Sequence, residues 1–395
     1  MKLFKLIASL YFITLVSLFF YSFTQVDLSL TLTQASIFKD IISTLQYLGF
    51  FQRELSAIIF ALISFLLFLF YFLFLNQSKK ISGKMLFSLI CGIFFILVLS
   101  YNAFSYDLFN YIFDAKILTF YHQNPYLFKP LDFIGDPMLT FMRWTHRVYP
   151  YGPSWLALTV PLSFIGSNIF LVTFFLFKLM IGLSFLGSAF LIYKISELVS
   201  PENKIFNTLF FALNPLVLIE GLVSAHNDFP LVFFALLSFY LFIRKKKVFS
   251  FVSLAFSIGI KYLSFILLPI FGYLMILENK KIKINWDKIF LLSLALSLVT
   301  LALVTFRTNF QPWYLIFPMS LAAFNAKRPY VFLPVIVASL SMIAVYYFYV
   351  LLTDYAPNYP AVITRVETLA LFAVIVSFII GFLFKKRLFK LLNNS

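Results

Sequence analysis

Between Tyr101 and Trp155 an otherwise apolar chain turns polar. The stretch carries four carboxylates (Asp107, Asp114, Asp132, Asp136), two of the three histidines (His122, His146) and a dense set of Tyr, Trp, Asn and Arg. In the segment Ser105-Tyr106-Asp107-Leu108-Phe109-Asn110-Tyr111-Ile112-Phe113-Asp114 the polar residues are spaced for chemistry. On a helix, Asp107, Asn110, Tyr111 and Asp114 share one face. Two carboxylates, an amide and a phenol then point together from a helix end at a membrane surface. Asp107, nearest the bilayer and flanked by rings, is the candidate base. Asp114 fits a solvated helix face equally well.

Three further segments carry groups of the same kind. Arg143-Trp144-Thr145-His146-Arg147-Val148-Tyr149-Pro150-Tyr151-Gly152-Pro153 is the densest. Its arginines suit phosphate, its rings suit a sugar face or a lipid edge, and Pro-Tyr-Gly-Pro forms a rigid turn. An aromatic belt at the headgroups explains the rings. It does not explain Arg143, His146 and Arg147 so close together. Ser224-Ala225-His226-Asn227-Asp228 joins two apolar runs, and Glu220 lies just inside the first of them, where a carboxylate is costly. His226, Asn227 and Asp228 read equally as turn chemistry or as a site. Lys261 sits between two hydrophobic runs, placed to hold an anionic headgroup, while Lys178 interrupts a run and can snorkel or pair. Arg307, Gln311 and Trp313 form another group of cation plus rings. His122-Gln123-Asn124-Pro125-Tyr126 reads as a turn. No zinc-protease, P-loop or dinucleotide signature occurs. The motifs assign no particular cofactor, and a divalent cation has a candidate site on Asp107 and Asp114.

The elements that hold these groups are set by hydropathy. The chain of 395 residues is 62% hydrophobic and 12% charged, too little polar material for a soluble surface. The fold class is all-α: a polytopic transmembrane helical bundle of about twelve spans. They lie near 4–24, 55–75, 85–101, 168–193, 205–222, 229–243, 248–262, 263–277, 287–306, 312–325, 330–352 and 362–384. The two shortest pairs are candidates for hairpins that do not fully cross. Residues 35–51 have the amphipathic pattern of a helix lying in the interface. Trp155–Ile165 is too short to span and reads as a dipping or juxtamembrane helix. The single cysteine, Cys91, excludes an internal disulfide. A single integral-membrane domain, 1–395, is expected, with 101–167 as its external loop and juxtamembrane helices.

The net charge of +16 does not point to nucleic acid. With the N-terminus in the cytoplasm, alternating spans collect most basic residues on that side, among them Lys79, Lys80, Arg244 to Lys247, Lys280, Lys281, Lys283, Lys327, Arg328 and Lys385 to Arg387. The excess is therefore a topology signal. Both termini are then expected on the cytoplasmic side of a cell membrane, and the acidic, ring-rich segments on the extracytoplasmic side.

Read together, Ser-Tyr-Asp-x-x-x-Tyr, Asn-Pro-Tyr, Tyr-x-Tyr-Gly-Pro-x-Trp, Asn214-Pro215 with His226-Asn227-Asp228, and Gln-Pro-Trp-Tyr resemble a known family. They are similar, in order and in shared side, to the polyprenyl-phosphate-dependent mannosyltransferases of the GT-C superfamily, and within it to the bacterial α-1,6-mannosyltransferases. The resemblance runs over about 101–315. It implies a hexose donor, mannose in the nearest group, on a polyprenyl phosphate, and a hydroxyl acceptor on an external glycan, lipid or protein. The family's essential acidic residue maps onto Asp107, its aromatic partner onto Tyr111, and its His-Asn-Asp stretch onto His226, Asn227 and Asp228. Three hydrophobic runs precede the motif loop here, where many superfamily members have one.

Chemistry sets the expected division of labour. A phosphodiester leaves as a stable anion, so one base suffices, and inversion at the anomeric carbon follows; glycosidases need two carboxylates. Asp107 is the expected base. Asp114 or Asp228 would orient sugar hydroxyls, Arg143, Arg147, Lys261 or Arg307 would meet the phosphate, and Asn110, Trp144, His146, Tyr149, Tyr151, Gln311 and Trp313 would line the substrate site. The competing class is a secondary transporter or lipid flippase of about twelve helices, for which Glu220 and Lys178 speak.

Overall fold

The computed structural model describes residues 2–306, 309–354 and 356–388. Among them there is no strand. Long apolar runs become helices because only a helix satisfies its own backbone hydrogen bonds in hydrocarbon. The helices are α1 (Lys2–Ser22), α2 (Ser36–Phe51), α3 (Arg53–Asn76), α4 (Gly83–Leu97), α5 (Asp107–Thr119), α6 (Pro153–Gly166), α7 (Phe170–Val199), α8 (Lys204–Ala212), α9 (Pro215–Leu218), α10 (Asp228–Ile243), α11 (Lys247–Ile260), α12 (Leu268–Asn279), α13 (Trp286–Thr305), α14 (Ile316–Ala322), α15 (Pro329–Leu352) and α16 (Tyr359–Leu383).

Among the described residues seven helices are long and apolar enough to cross a membrane, or up to eight if the bent α8–α9 pair counts as one span. About twelve crossings were expected from hydropathy, and the difference has a physical source. Residues 83–97, 228–243 and 247–260 are apolar but short, with 15, 16 and 14 residues. The run 312–325 breaks into a turn, the short α14 and another turn, with Pro312 and Pro318 punctuating it. It is apolar because it is buried against protein, not because it faces lipid. Mean hydropathy does not separate those two environments.

The amphipathic helix expected over 35–51 forms as α2, with Ile37, Phe38 and Ile41 exposed. Its tip is tied back where Gln46 Nε2 donates to the carbonyl of Val26 at 3.2 Å. The short helix expected near Trp155–Ile165 forms as α6 and ends at Ser167 and Asn168, both left-handed at φ 49° and 59°.

The α8–α9 pair runs through the centre of the bundle, every residue from Phe206 to Leu231 being buried. Pro215 supplies no N–H and disfavours a helical Asn214, which is extended at φ −60°, ψ 124°; the chain bends by 57°. Asn214 repairs the break. Its side-chain oxygen caps the N–H of Leu216 at 3.0 Å and its amide donates to Ser339 Oγ on α15 at 2.9 Å. Beyond α9 the chain widens into a π turn, Ile219–Val223. Lys178 on α7 closes that turn. It is 2% exposed, donates to the carbonyl of Val223 at 2.9 Å and to Ser100 Oγ at 3.1 Å, and also reaches the carbonyl of Leu222. The lysine therefore pairs with backbone rather than snorkelling.

Candidate active site

The helix predicted from the Asp107 spacing is α5, and Asp107 is its first residue. A carboxylate there meets the positive end of the helix dipole. Asp107, Asn110 and Asp114 open on one cavity of about 580 Å³. Its other walls include Trp144, Arg147 and Tyr151 from the second motif, Lys261 from the start of the segment after α11, and Gln311, Trp313 and Tyr314 from the turn before α14. Thr305, Phe306 and Asn309 complete it. Segments remote in sequence thus share one wall-to-wall space. Arg307 lies outside the described residues.

The wall is held together by a backbone approach that only glycine permits. Gly152 N donates to the carbonyl of Ile260 at 3.3 Å. A Cβ on Gly152 would stand 2.3 Å from the carbonyl oxygen of Gly259. The Pro-Tyr-Gly-Pro turn can therefore lie directly against the end of α11, which sets Tyr151 beside Lys261.

Behind the cavity wall lies a buried ionic cluster. His226 falls in the turn between the π turn and α10. Its Nδ1 is 3.5 Å from Asp107 Oδ2 and its Nε2 is 3.3 Å from Glu220 Oε2. Both contacts are long and neither is aligned as a hydrogen bond, so they count as charge contacts. The Tyr346 hydroxyl on α15 donates to the other Glu220 oxygen. The imidazole stacks on Trp313, ring centroids 4.1 Å apart and planes 16° apart, so Trp313 stands between His226 and the cavity. Burial works against a charged imidazole here, but the Asp107 and Glu220 carboxylates outweigh it and raise His226 to about 9. His226 is an imidazolium at neutral pH.

A second pair stands beside it. Asp228, fully buried at the start of α10, accepts from Lys261 Nζ at 3.0 and 3.1 Å. Lys261 also lies over the Tyr314 ring at 5.3 Å. Asp228 thus faces Lys261 and not the cavity. Asn227 is buried too, with neither side-chain atom hydrogen-bonded among the described residues.

The remaining expected residues fall in different places. Asp114 lines the cavity but is 4% exposed. Burial, reinforced by Asp107, holds its carboxyl well above the usual carboxylate range. Tyr111 is buried behind the wall, edge-on to Tyr151 and Trp155, because its helix face packs on α6. Tyr149 is buried and donates to the carbonyl of Gly152 at 2.8 Å, which shapes the turn. Arg147 lies over the Trp144 ring at 4.3 Å at the cavity rim. His146 is exposed beside Trp144 and does not line the cavity. Arg143 turns away. It forms an ion pair with Asp354, lies over the Tyr106 ring at 4.4 Å, and lines a separate cavity with Arg53 and Tyr349. Sequence spacing placed Arg143 and Arg147 together, but the left-handed Trp144 (φ 57°) sends the chain in a new direction between them.

Among the described residues no three His, Cys, Asp or Glu side chains converge as a metal site. Tyr346 went unnoticed in the sequence, since it sits in an ordinary apolar run. Glu220 did carry a signal, the cost of a carboxylate inside a hydrophobic stretch.

A ring-lined cavity with two carboxylates and two cations, set in a helical bundle with several apolar helices, is the candidate active site of a membrane protein. Residues 28–277 match the MptA_B family, alpha-(1->6)-mannopyranosyltransferase N-terminal domain. The match covers more than half of the chain, and the chain belongs to that family: it is a mannosyl-transferring glycosyltransferase. The all-helical architecture is consistent with the GT-C superfamily. No curated protein and no solved structure matches the chain. Membership removes the transporter alternative. The two residues that spoke for it, Glu220 and Lys178, are engaged by His226 and Tyr346 and by backbone carbonyls.

Proposed function

We propose that the protein moves mannose from a polyprenyl-phosphate donor to a hydroxyl of an extracytoplasmic glycan, lipid or protein, with inversion and with Asp107 as the base. The observation that carries this reading is the position of Asp107. It stands at the N-terminus of α5, open to a cavity walled by rings and by Arg147 and Lys261, and backed by the His226 imidazolium. In the reaction, Asp107 takes the acceptor's proton as its oxygen attacks the anomeric carbon. The bond from that carbon to the phosphate oxygen breaks, and the electron pair leaves on the polyprenyl phosphate. Arg147 and Lys261 meet the charge that develops there. Asp114, its carboxyl held above the usual range by burial, hydrogen-bonds a sugar hydroxyl, and Trp144, Tyr151 and Trp313 offer faces to the ring or the prenyl chain.

The topology proposed with it has both termini in the cytoplasm and residues 101–167 as the external catalytic layer of a single domain. Charge placement supports it. Lys327, Arg328, Lys385 and Lys386 gather around Asp287 at the start of α13, whereas Thr305 at its end borders the cavity with Asp107. The test is Asp107→Asn, assayed in detergent for transfer from a polyprenyl-phosphate mannose donor. Loss of about a hundredfold or more in kcat with an intact fold supports the base role. Full turnover by the folded variant removes it.

A further inference from the structure

A second polar cavity lies at the other end of α13. Asp287 in the first turn of α13 lines it, while Thr305, the last residue, lines the cavity with Asp107. The 20 residues of α13 rise about 30 Å, the depth of a hydrocarbon core. This second space has a volume of about 510 Å³. Among the described residues four cations line it, Lys327, Arg328, Lys385 and Lys386, against one carboxylate, Asp287, which is paired with Arg328. Among the described residues no carboxylate stands within ion-pair range of Lys327, Lys385 or Lys386. Lys327 is held below the usual lysine range, mainly by burial and further by the neighbouring Lys79. Positive charge is thus gathered here at a cost that an anion would relieve.

Amides line the same space: Asn203, Asn207 and Asn325. Asn325 is 3% exposed; its nitrogen donates to the carbonyl of Asp287 at 3.4 Å, and its oxygen has no partner among the described residues. A buried acceptor beside cations suits a ligand with hydroxyls as well as phosphate. The rim is apolar. Phe382 is half exposed, and it continues the outer face of α16, where Leu369, Phe372, Ile375 and Ile379 are exposed. A soluble anion gains nothing from that wall, whereas acyl chains do. Topological lysines by themselves need no cavity, no buried amide and no apolar rim.

We propose that this cavity binds the headgroup of an anionic phospholipid, a phosphodiester bearing free hydroxyls as in phosphatidylglycerol, at the face of the bundle opposite the catalytic cavity. The proposal is independent of the role of Asp107. Native mass spectrometry of the full-length protein, with phosphatidylglycerol or phosphatidylcholine added, tests it. Phosphatidylglycerol is expected to bind in preference. The variants K327Q and K385Q/K386Q should lose about fivefold in affinity per cation removed, while K280Q/K283Q, on exposed lysines of the same side, should lose nothing. If K327Q does not fold, K385Q/K386Q carries the comparison alone. Equal binding of the two lipids, or an equal loss in K280Q/K283Q, overturns the site. Displacement of the lipid by glycerol phosphate or inorganic phosphate at matched concentration assigns the cavity to a free anion and overturns the lipid.

Discussion

His226 Nδ1 lies 3.5 Å from Asp107 Oδ2. That one contact ties the first acidic segment to the turn that opens α10. It gives Asp107, which also lines the cavity, a charged neighbour behind the cavity wall. Glu220 holds the other imidazole nitrogen, and Tyr346 holds Glu220. The row from α5 to α15 thus links the candidate base to the middle of the bundle. Proteins tolerate such buried charge when it is paired.

Replacing His226 with Gln keeps a polar group of similar reach but removes the charge. Mannose transfer is expected to fall about tenfold to a hundredfold in kcat. KM should change little, because Trp313 separates His226 from the cavity. Steady-state kinetics of the purified variant separate the two parameters. A rise in KM alone would mean that His226 binds substrate instead.

The pH dependence of stability follows from the same residue. His226 is raised from 6.5 to about 9 in the folded protein, so the native state binds its proton more tightly than the unfolded chain. Its contribution is fully present below pH 6.5 and is lost as pH rises through about 9. Melting temperature in detergent should fall across that window, and His226→Gln should flatten the slope. An unchanged slope in the variant assigns the loss to another group.

The Lys261–Asp228 pair predicts a non-additive cycle. Lys261→Met strands a fully buried carboxylate and should cost about 3–5 kcal/mol of stability. Asp228→Asn in the same background should recover much of that loss. Transfer activity should stay low in the double variant, since the cavity still lacks the Lys261 charge. Unfolding measurements on the four proteins, alongside activity, check both statements.

Gly152→Ala should loosen the cavity wall. The added methyl would meet the Gly259 carbonyl at 2.3 Å, a backbone atom that cannot swing aside. A drop in melting temperature and a loss of transfer together are expected, with Asp107 itself untouched. Gly135→Ala is the contrasting case for space. No atom lies within 4 Å of its added methyl, so its only penalty is the left-handed φ of 96°. Transfer activity should survive that change.

Local pattern determined a good deal of this protein. The spacing of Asp107, Asn110 and Asp114 fixed a helix and the face that opens on the cavity, because helical period is a property of neighbours in sequence, whereas Tyr111, expected on the same face, packs on α6 instead. The apolar runs fixed an all-helical membrane bundle, because backbone in hydrocarbon has few ways to satisfy its hydrogen bonds. The pattern of residues 35–51 fixed the amphipathic helix α2.

Other features depend on distance through space, and only the tertiary structure decided them. Hydropathy could not tell a lipid-facing run from one buried in protein, so 312–325 read as a span. The spacing of Arg143 and Arg147 put them together, yet the turn at Trp144 sends Arg143 to Asp354. Asp228 looked like a free loop carboxylate until Lys261 was found on it. Tyr346 gave no sign at all, since a phenol in an apolar helix becomes meaningful only when Glu220 arrives from another element. Charge and packing act between atoms in contact, and the chain brings those atoms together only by folding.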